Sequence, residues 1–431
     1  MSRKIEIDSI DYKDREKIVN QLQIKLEGPK FSFMKSPKYI YPINIEGDYA
    51  FIPFSYGRNC PGGPFKTPDR KKYSKLICKF SGKLRENQKE IKKECLNDLN
   101  KYGSSIIAAY PGFGKTCTSI YIATKIKLRT LILVNRIVLI DQWVKSIEKF
   151  CKSATVQVLK SKSKMEDCDF YIMNATNVHK NNSEYYKSIG FLIVDEVHLI
   201  MAEGLSKSMQ RIMPRYLLGL SATPYREDGL NILLDLYFGK KKIFRKLYKE
   251  HIVYKVTTSF EPTIEFSSNG KVNWGVLLES QANYKDRNEM IINIIKYFKD
   301  RVFLVLCKRV SQGRYLVKRL EEEDVDVTSL IGSQQEYEQK SRVLVGTSSK
   351  AGTGFDHPRL NAMILATDIQ SYFIQYLGRC MRTEDVKPII FDIVDKNPIL
   401  NRHFRVRKNV YTEHGGTIYD FSKLHPEVNV V

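Results

Sequence analysis

The sequence predicts an α/β protein of two parallel-sheet lobes, with a small N-terminal accessory domain expected to be β-rich. Three observations predict it. Two long stretches alternate short β-branched apolar runs with amphipathic segments, the pattern of strands joined by crossover helices. A chain of 431 residues exceeds one ordinary hydrophobic core. Finally, Ala109-Tyr110-Pro111-Gly112-Phe113-Gly114-Lys115-Thr116 lies where an apolar strand-like run gives way to a helical one.

Residues 1–81 lack any strand–helix rhythm. Pro37, Pro42, Pro53, Pro61, Pro64 and Pro68, with Gly62-Gly63, punctuate them as short strands and loops, hence the accessory domain. The first lobe is expected over 82–239, with strands at 105–109, 130–134, 170–173, 191–194 and 217–220. Helical periodicity lies between them, as over 138–147. Residues 240–285 lose the period and read as a basic linker able to carry a few extended segments. Its densest patch, Lys240-Lys241-Lys242-Ile243-Phe244-Arg245-Lys246, reads equally as a phosphate-tracking element or a hydrated connection. The second lobe is expected over 286–431, with strands at 302–306, 343–345, 362–365 and 389–393 and helices at 314–323 and 372–381. No fixed-period repeat or low-complexity tract is present.

Composition narrows the function. An apolar fraction of 42% with 27% charged residues is ordinary for a soluble globular protein. The richest apolar run, Leu131-Ile132-Leu133-Val134, ends at Asn135-Arg136, and the first residues lack the apolar core of an export signal. No membrane partner is expected; the location expected is cytoplasm or nucleus, or a virion if the source is viral. Eight cysteines without a C-x-x-C pair, and seven scattered histidines, argue for reduced thiols rather than disulfides or zinc. Seventy Lys+Arg against forty-eight Asp+Glu give a net charge of +22. That excess suits a polyanionic partner, nucleic acid before an anionic membrane.

The residues with chemical potential follow in order along the chain. In the glycine-rich segment, Pro111, Gly112, Phe113 and Gly114 let backbone N–H groups curl around phosphate oxygens at a helix N-terminus. Lys115 would reach the β/γ-phosphates of ATP, and Thr116 would ligate Mg²⁺. Phe191-Leu192-Ile193-Val194-Asp195-Glu196-Val197-His198 is an apolar strand ending in two carboxylates. Asp195 would hold Mg²⁺ and Glu196 would orient and deprotonate the attacking water. Ser221-Ala222-Thr223-Pro224 ends another strand in small hydroxyl residues, which in isolation is more often only a turn. In Gln375-Tyr376-Leu377-Gly378-Arg379-Cys380-Met381-Arg382, the two arginines share a helix face. They suit a phosphate, or a solvated basic face.

Taken in this order, the four segments resemble the motif series of the superfamily 2 DExH-box helicases, over about residues 82–395. Leu84-Arg85-Glu86-Asn87-Gln88 resembles the adenine-reading segment, 131–143 the first nucleic-acid-contacting motif, and 345–356 motif V. Arg226-Glu227-Asp228, with the Asp-Glu-Val-His form, resembles the XPB/UvsW-like branch, similar to the transcript-release DNA helicases of large DNA viruses. The resemblance implies two RecA-like lobes with ATP in the cleft between them. It implies that Gln88 and Arg85 meet adenine, and that Gly354 and Asp356 lie near the nucleotide. His198, Ser221, Thr223 and Gln375 would couple ATP to nucleic acid, with Arg379 and Arg382 as arginine fingers. Asn135, Arg136, Thr176, Lys308, Arg309 and Thr347 become candidate phosphate contacts, sequence-blind as a motor requires. Tyr376 is a departure, standing where many relatives carry Arg.

The expected activity is therefore a nucleic-acid-stimulated ATPase, a DNA helicase or translocase moving 3′ to 5′ on duplex or branched DNA. Its setting would be transcription, recombination or repair, with transcription or replication machinery as further partners. Alternatives are an RNA helicase or RNP remodeller, since the motor residues serve both polymers, and a nucleic-acid-binding scaffold with an inactive ATPase.

Overall fold

The computed structural model describes residues 1–25, 39–63, 68–201, 209–222, 230–268, 270–334, 336–351, 357–369, 373–381, 386–428 and 430. The chain divides into two compact units, Met1–Arg245 and Lys246–Val431. Each is built on a seven-stranded parallel sheet, the two RecA-like lobes of the fold class.

In the first unit the strands are β1 (Ser104–Ala109), β2 (Thr130–Val134), β3 (Val156–Leu159), β4 (Phe170–Asn174), β5 (Phe191–Val194), β6 (Tyr216–Ser221) and β7 (Ile243–Arg245). Their order across the sheet is β7-β1-β6-β5-β2-β4-β3. The central strands are apolar without interruption because both faces are covered. Ile106, Leu131, Leu192 and Leu217 enter one core cluster, while Ile107, Ile132, Ile193 and Leu218 enter the other. On the second face lie α1 (Glu86–Tyr102), α2 (Lys115–Ile126) and α3 (Val138–Phe150), through Ile91, Cys95, Ile120, Trp143 and Ile147.

Residues 1–81 fall inside this unit. Ser2–Glu6, Tyr49–Pro53 and Asn44–Glu46 form an antiparallel sheet. Met1, Ile24, Ile40 and Phe54 join the first core cluster, and Tyr73, Leu76 and Cys78 the second. The segment thus shares the lobe's core.

The second unit adds β8 (His251–Thr257), β9 (Phe303–Cys307), β10 (Val327–Leu330), β11 (Val343–Thr347), β12 (Ala362–Leu365), β13 (Ile389–Val394) and β14 (Gly416–Asp420). Their order is β10-β11-β9-β12-β13-β8-β14.

The stretch 240–285 carries regular elements. It supplies β7 to the first sheet, β8 to the second, and α4 (Trp274–Asn283). Its basic patch is largely matched by acids: Lys241 pairs with Asp98 at 2.8 Å, Lys242 with Asp235 at 3.0 Å and Arg245 with Glu94 at 2.5 Å. Those partners lie within the first unit, so folding pairs three of the patch's five cations with acids.

A buried ionic clamp fixes the loop after β12. Arg407 donates to both oxygens of Asp392 at 2.8 Å and to Asp368 at 2.7 Å, and Tyr411 donates its hydroxyl to Asp392 at 2.9 Å. All four are buried. Removing the cation alone leaves Asp392 to the Tyr411 hydroxyl and Asp368 to His403, 2.8 Å away, and the loss of the guanidinium from two buried carboxylates costs about 3–5 kcal/mol. Arg407→Met is therefore expected to lower the unfolding free energy of the second unit, from urea titration read at Trp274, by that much, while the exposed Arg405→Met changes it by less than about 0.5 kcal/mol. Equal midpoints for the two variants would contradict the clamp.

Candidate nucleotide and nucleic-acid site

Parallel strands deliver their following loops to one edge of a sheet, where open α/β folds bind ligands. At that edge of the first sheet stand the loop after β1, Asn135 and Arg136 after β2, and Thr176 after β4. Asp195 and Glu196 follow β5, and Ser221 closes β6.

The loop after β1 is shaped for an anion. Gly112 and Gly114 take positive φ of 83° and 91°, and Gly114 caps α2 with no side-chain hydrogen bond to the helix's first N–H groups. An uncapped helix N-terminus in a glycine loop is a phosphate site in geometry and charge. Pro111, Lys115 and Thr116 are half-buried around it, whereas Phe113 points into the core and meets Tyr110 edge-on at 5.5 Å. The Lys115 ammonium donates to the carbonyls of Ala109 at 2.7 Å and Tyr110 at 3.4 Å.

Gln88, only 2% exposed, braces this loop. Its Oε1 accepts from the Arg85 N–H at 2.9 Å and its Nε2 donates to the Phe113 carbonyl at 3.0 Å. Arg85 itself is exposed at the start of α1. A Cβ on Gly114 would come within 2.2 Å of the Gln88 Nε2.

Asp195 is half-buried, its Oδ2 accepting from the indole N–H of Trp143 at 2.9 Å and its Oδ1 from the Glu196 N–H at 3.0 Å. Burial, with the Glu196 carboxylate beside it, pushes the Asp195 carboxyl up to about 6, against the opposing pull of Trp143 and Lys115. An ionised carboxylate held in this setting gains strongly from an incoming cation. Glu196 adopts a left-handed conformation (φ 45°), uncommon for a side chain of its size, and begins a single helical turn. That turn returns His198 toward it: His198 Nδ1 lies 3.5 Å from Glu196 Oε2 and 2.8 Å from Ser221 Oγ. The strand ends of β5 and β6 are thereby linked through one buried imidazole.

Among the candidate phosphate contacts, Asn135 and Arg136 occupy the turn before α3, and the buried Asn135 Oδ1 has no hydrogen-bond partner among the described residues. Thr176 is exposed, its hydroxyl donating to Asn174 at 2.7 Å.

The second unit places Lys308 exposed after β9. Arg309 is committed elsewhere: its Nη2 donates to the Gly275 carbonyl at 2.7 Å and its Nε lies 3.1 Å from Glu279, both on α4. Thr347 ends β11 and is buried, 3.3 Å from the Ser349 hydroxyl. Gln375 and Arg379 are buried on the helix Phe373–Cys380, and the Tyr376 hydroxyl donates to the Ser348 carbonyl at 2.6 Å. Thr223, Gly354, Asp356 and Arg382 lie outside the described residues.

Sequence reading missed the Trp143–Asp195 bond and the brace from Gln88 to Phe113. Each joins residues far apart in the chain, and only the buried face of α3 hinted at the first.

Residues 81–226 match the family described as Type III restriction enzyme, res subunit. The chain is 40% identical to "Putative helicase 161L" of Invertebrate iridescent virus 6, over 98% of this chain and 100% of that protein. It is 28% identical to "Putative ATP-dependent RNA helicase L396" of Acanthamoeba polyphaga mimivirus (87% of this chain, 78% of that protein). It is 23% identical to "DNA 3'-5' translocase XPB2" of Sulfurisphaera tokodaii (75% and 84%). In fold it is similar to S. cerevisiae Dbp5 bound to RNA and ADP BeF3, with a TM-score of 0.55 at 14% identity over 79% of this chain and 92% of that one.

Local geometry makes a stability prediction. Gly114→Ala adds left-handed strain of about 1–2 kcal/mol and displaces Gln88, a hydrogen bond worth about 1 kcal/mol. Gly47, at φ 57° with nothing within 4 Å of a Cβ, carries only the strain. Urea unfolding read at Trp143 should rank Gly114→Ala below Gly47→Ala; the reverse order would refute the brace. Both sheets and the likeness to 161L over nearly the whole chain lead to one statement: the chain belongs to the superfamily 2 helicases, with those of large DNA viruses.

Proposed function

We propose that this helicase is an ATP-driven DNA motor that translocates 3′ to 5′ on duplex or branched DNA, hydrolysing ATP at the carboxyl edge of the first sheet. The observation that carries the reading is the convergence there of an uncapped phosphate loop, two adjacent carboxylates and the His198–Ser221 link.

The donor set fits magnesium. Mg²⁺ commonly takes one or two protein oxygens and completes its shell with phosphates and water. Thr116 and Asp195 would hold it, and when bound it neutralises charge on the phosphate oxygens. Lys115 is assigned to the β/γ-phosphates, exchanging its two loop carbonyls for them. Glu196, held by its left-handed backbone, is assigned to orient and deprotonate the attacking water. His198 and Ser221 carry the state of that water site to the end of β6. Gln88 supports the loop from the adenine side, with Arg85 near the base. Gln375, Gly354, Asp356 and Thr223 keep the coupling and nucleotide roles that the resemblance implies, and Arg379 and Arg382 are assigned to the γ-phosphate.

Asn135, Arg136, Thr176, Lys308 and Thr347 are assigned to the backbone of the nucleic acid. Arg309 acts through α4, which its guanidinium holds. The +22 charge supplies sequence-independent affinity that falls steeply with salt.

The DNA reading rests on likeness to XPB2; the L396 relative is described as acting on RNA. ATP turnover with duplex DNA, single-stranded DNA and RNA, compared side by side, decides it. DNA should stimulate most, and stimulation by RNA alone would overturn the choice of polymer. Glu196→Gln is expected to lower kcat by at least about 100-fold while ATP still binds, as loss of a general base does. Wild-type turnover in that variant would remove Glu196 from the chemistry.

A further inference from the structure

Trp143 is 1% exposed, on the face of α3 that also buries Leu139 and Ile147. Its ring is held by the core, so its N–H is a donor of fixed direction. A buried indole N–H usually finds some partner, and a backbone carbonyl would suffice. Here the partner is the carboxylate at the end of β5, at 2.9 Å, and the Glu196 N–H takes the other oxygen at 3.0 Å. Both oxygens are thereby engaged and the plane of the carboxylate is set. A neutral donor orients the group and leaves its charge available, whereas a lysine or arginine in the same place would neutralise it. The same helix begins at Val138, with Ile137 as its N-cap between it and Asn135-Arg136.

We propose that Trp143 is a positioning residue of the metal–nucleotide site: its indole N–H holds the Asp195 carboxylate in the orientation that takes Mg²⁺ and ties it to α3. This rests on the reading of Asp195 as a metal-holding residue. Loss of the N–H leaves the carboxylate's charge in place and releases its orientation. The affected quantity is the Mg²⁺ requirement.

The test is steady-state ATP hydrolysis by the full chain at saturating DNA, with Mg²⁺ varied from micromolar to tens of millimolar. Trp143→Phe keeps an aromatic ring and removes the donor. It should raise the Mg²⁺ concentration for half-maximal turnover about tenfold or more, the usual effect of losing an outer-shell partner. Ile147→Ala opens a cavity on the same helix face without touching Asp195, and should lower thermal stability while leaving the Mg²⁺ requirement unchanged. A second readout needs no change at Trp143. The chain has two tryptophans, so Trp274→Phe leaves Trp143 as the sole indole, and its emission should change when Mg²⁺ is added to the ATP-bound protein. Trp143→Phe with a wild-type Mg²⁺ requirement, or a shift no larger than that of Ile147→Ala, overturns the proposal, as does an emission indifferent to Mg²⁺. Asp195→Asn separates the two claims. If it abolishes the Mg²⁺ response while Trp143→Phe does not, the positioning role alone falls; if it keeps a wild-type Mg²⁺ response, the reading of Asp195 falls.

Discussion

A half-buried carboxylate held by protein donors is the constraint around which the first unit is organised. Asp195 must be placed at the end of β5, flanked by Glu196 and reached by the indole of Trp143. Desolvation and the neighbouring carboxylate both disfavour its charge, which is why its carboxyl rises to about 6. Such a group persists where surrounding structure over-determines it, and here the surroundings do. β5 lies between β6 and β2 in the middle of a sheet packed on both faces, so its end cannot shift without disturbing both cores.

The same packing explains how chemistry from distant segments meets. Parallel strands place every βα loop at one edge, and the order β7-β1-β6-β5-β2 sets the phosphate loop, Ser221 and the Asp195–Glu196 pair on three adjacent strands. The backbone strain at Glu196 belongs to this arrangement. A left-handed residue turns the chain back after one step, so that His198 reaches both Glu196 and Ser221. In the second unit the analogous constraint is met with matched charge, Arg407 against Asp392 and Asp368. One sheet edge is neutralised internally, whereas at the other the Asp195 carboxylate meets neutral donors.

The core strands and the motif residues were legible in the sequence for one reason: their signals are local. Strands buried on both faces are uniformly apolar, and phosphate loops and strand-end carboxylates are contiguous. Peripheral strands were not legible. β3 mixes Gln157 into an edge run, β14 is mostly exposed, and β8 alternates His251, Tyr254 and Lys255 with apolar residues, so 240–285 read as linker. Site contacts made across the fold were equally hidden. Nothing near Arg309 says that its guanidinium belongs to Gly275 and Glu279, and nothing near Gln88 says that it braces Phe113. Charge pairing is hidden in the same way, since nothing near Lys241, Lys242 and Arg245 says that Asp98, Asp235 and Glu94 fold onto them.

The central claim is that the glycine loop after β1 and the carboxylate after β5 form one metal–nucleotide site. Crystals of the full chain grown with Mn²⁺ and a non-hydrolysable ATP analogue test it directly, because anomalous scattering locates the metal independently of any activity. The account predicts a manganese peak between Thr116 and Asp195, with the analogue's phosphates on the N-terminus of α2. A nucleotide bound on that loop with its metal away from Asp195, or a nucleotide bound elsewhere, would contradict it.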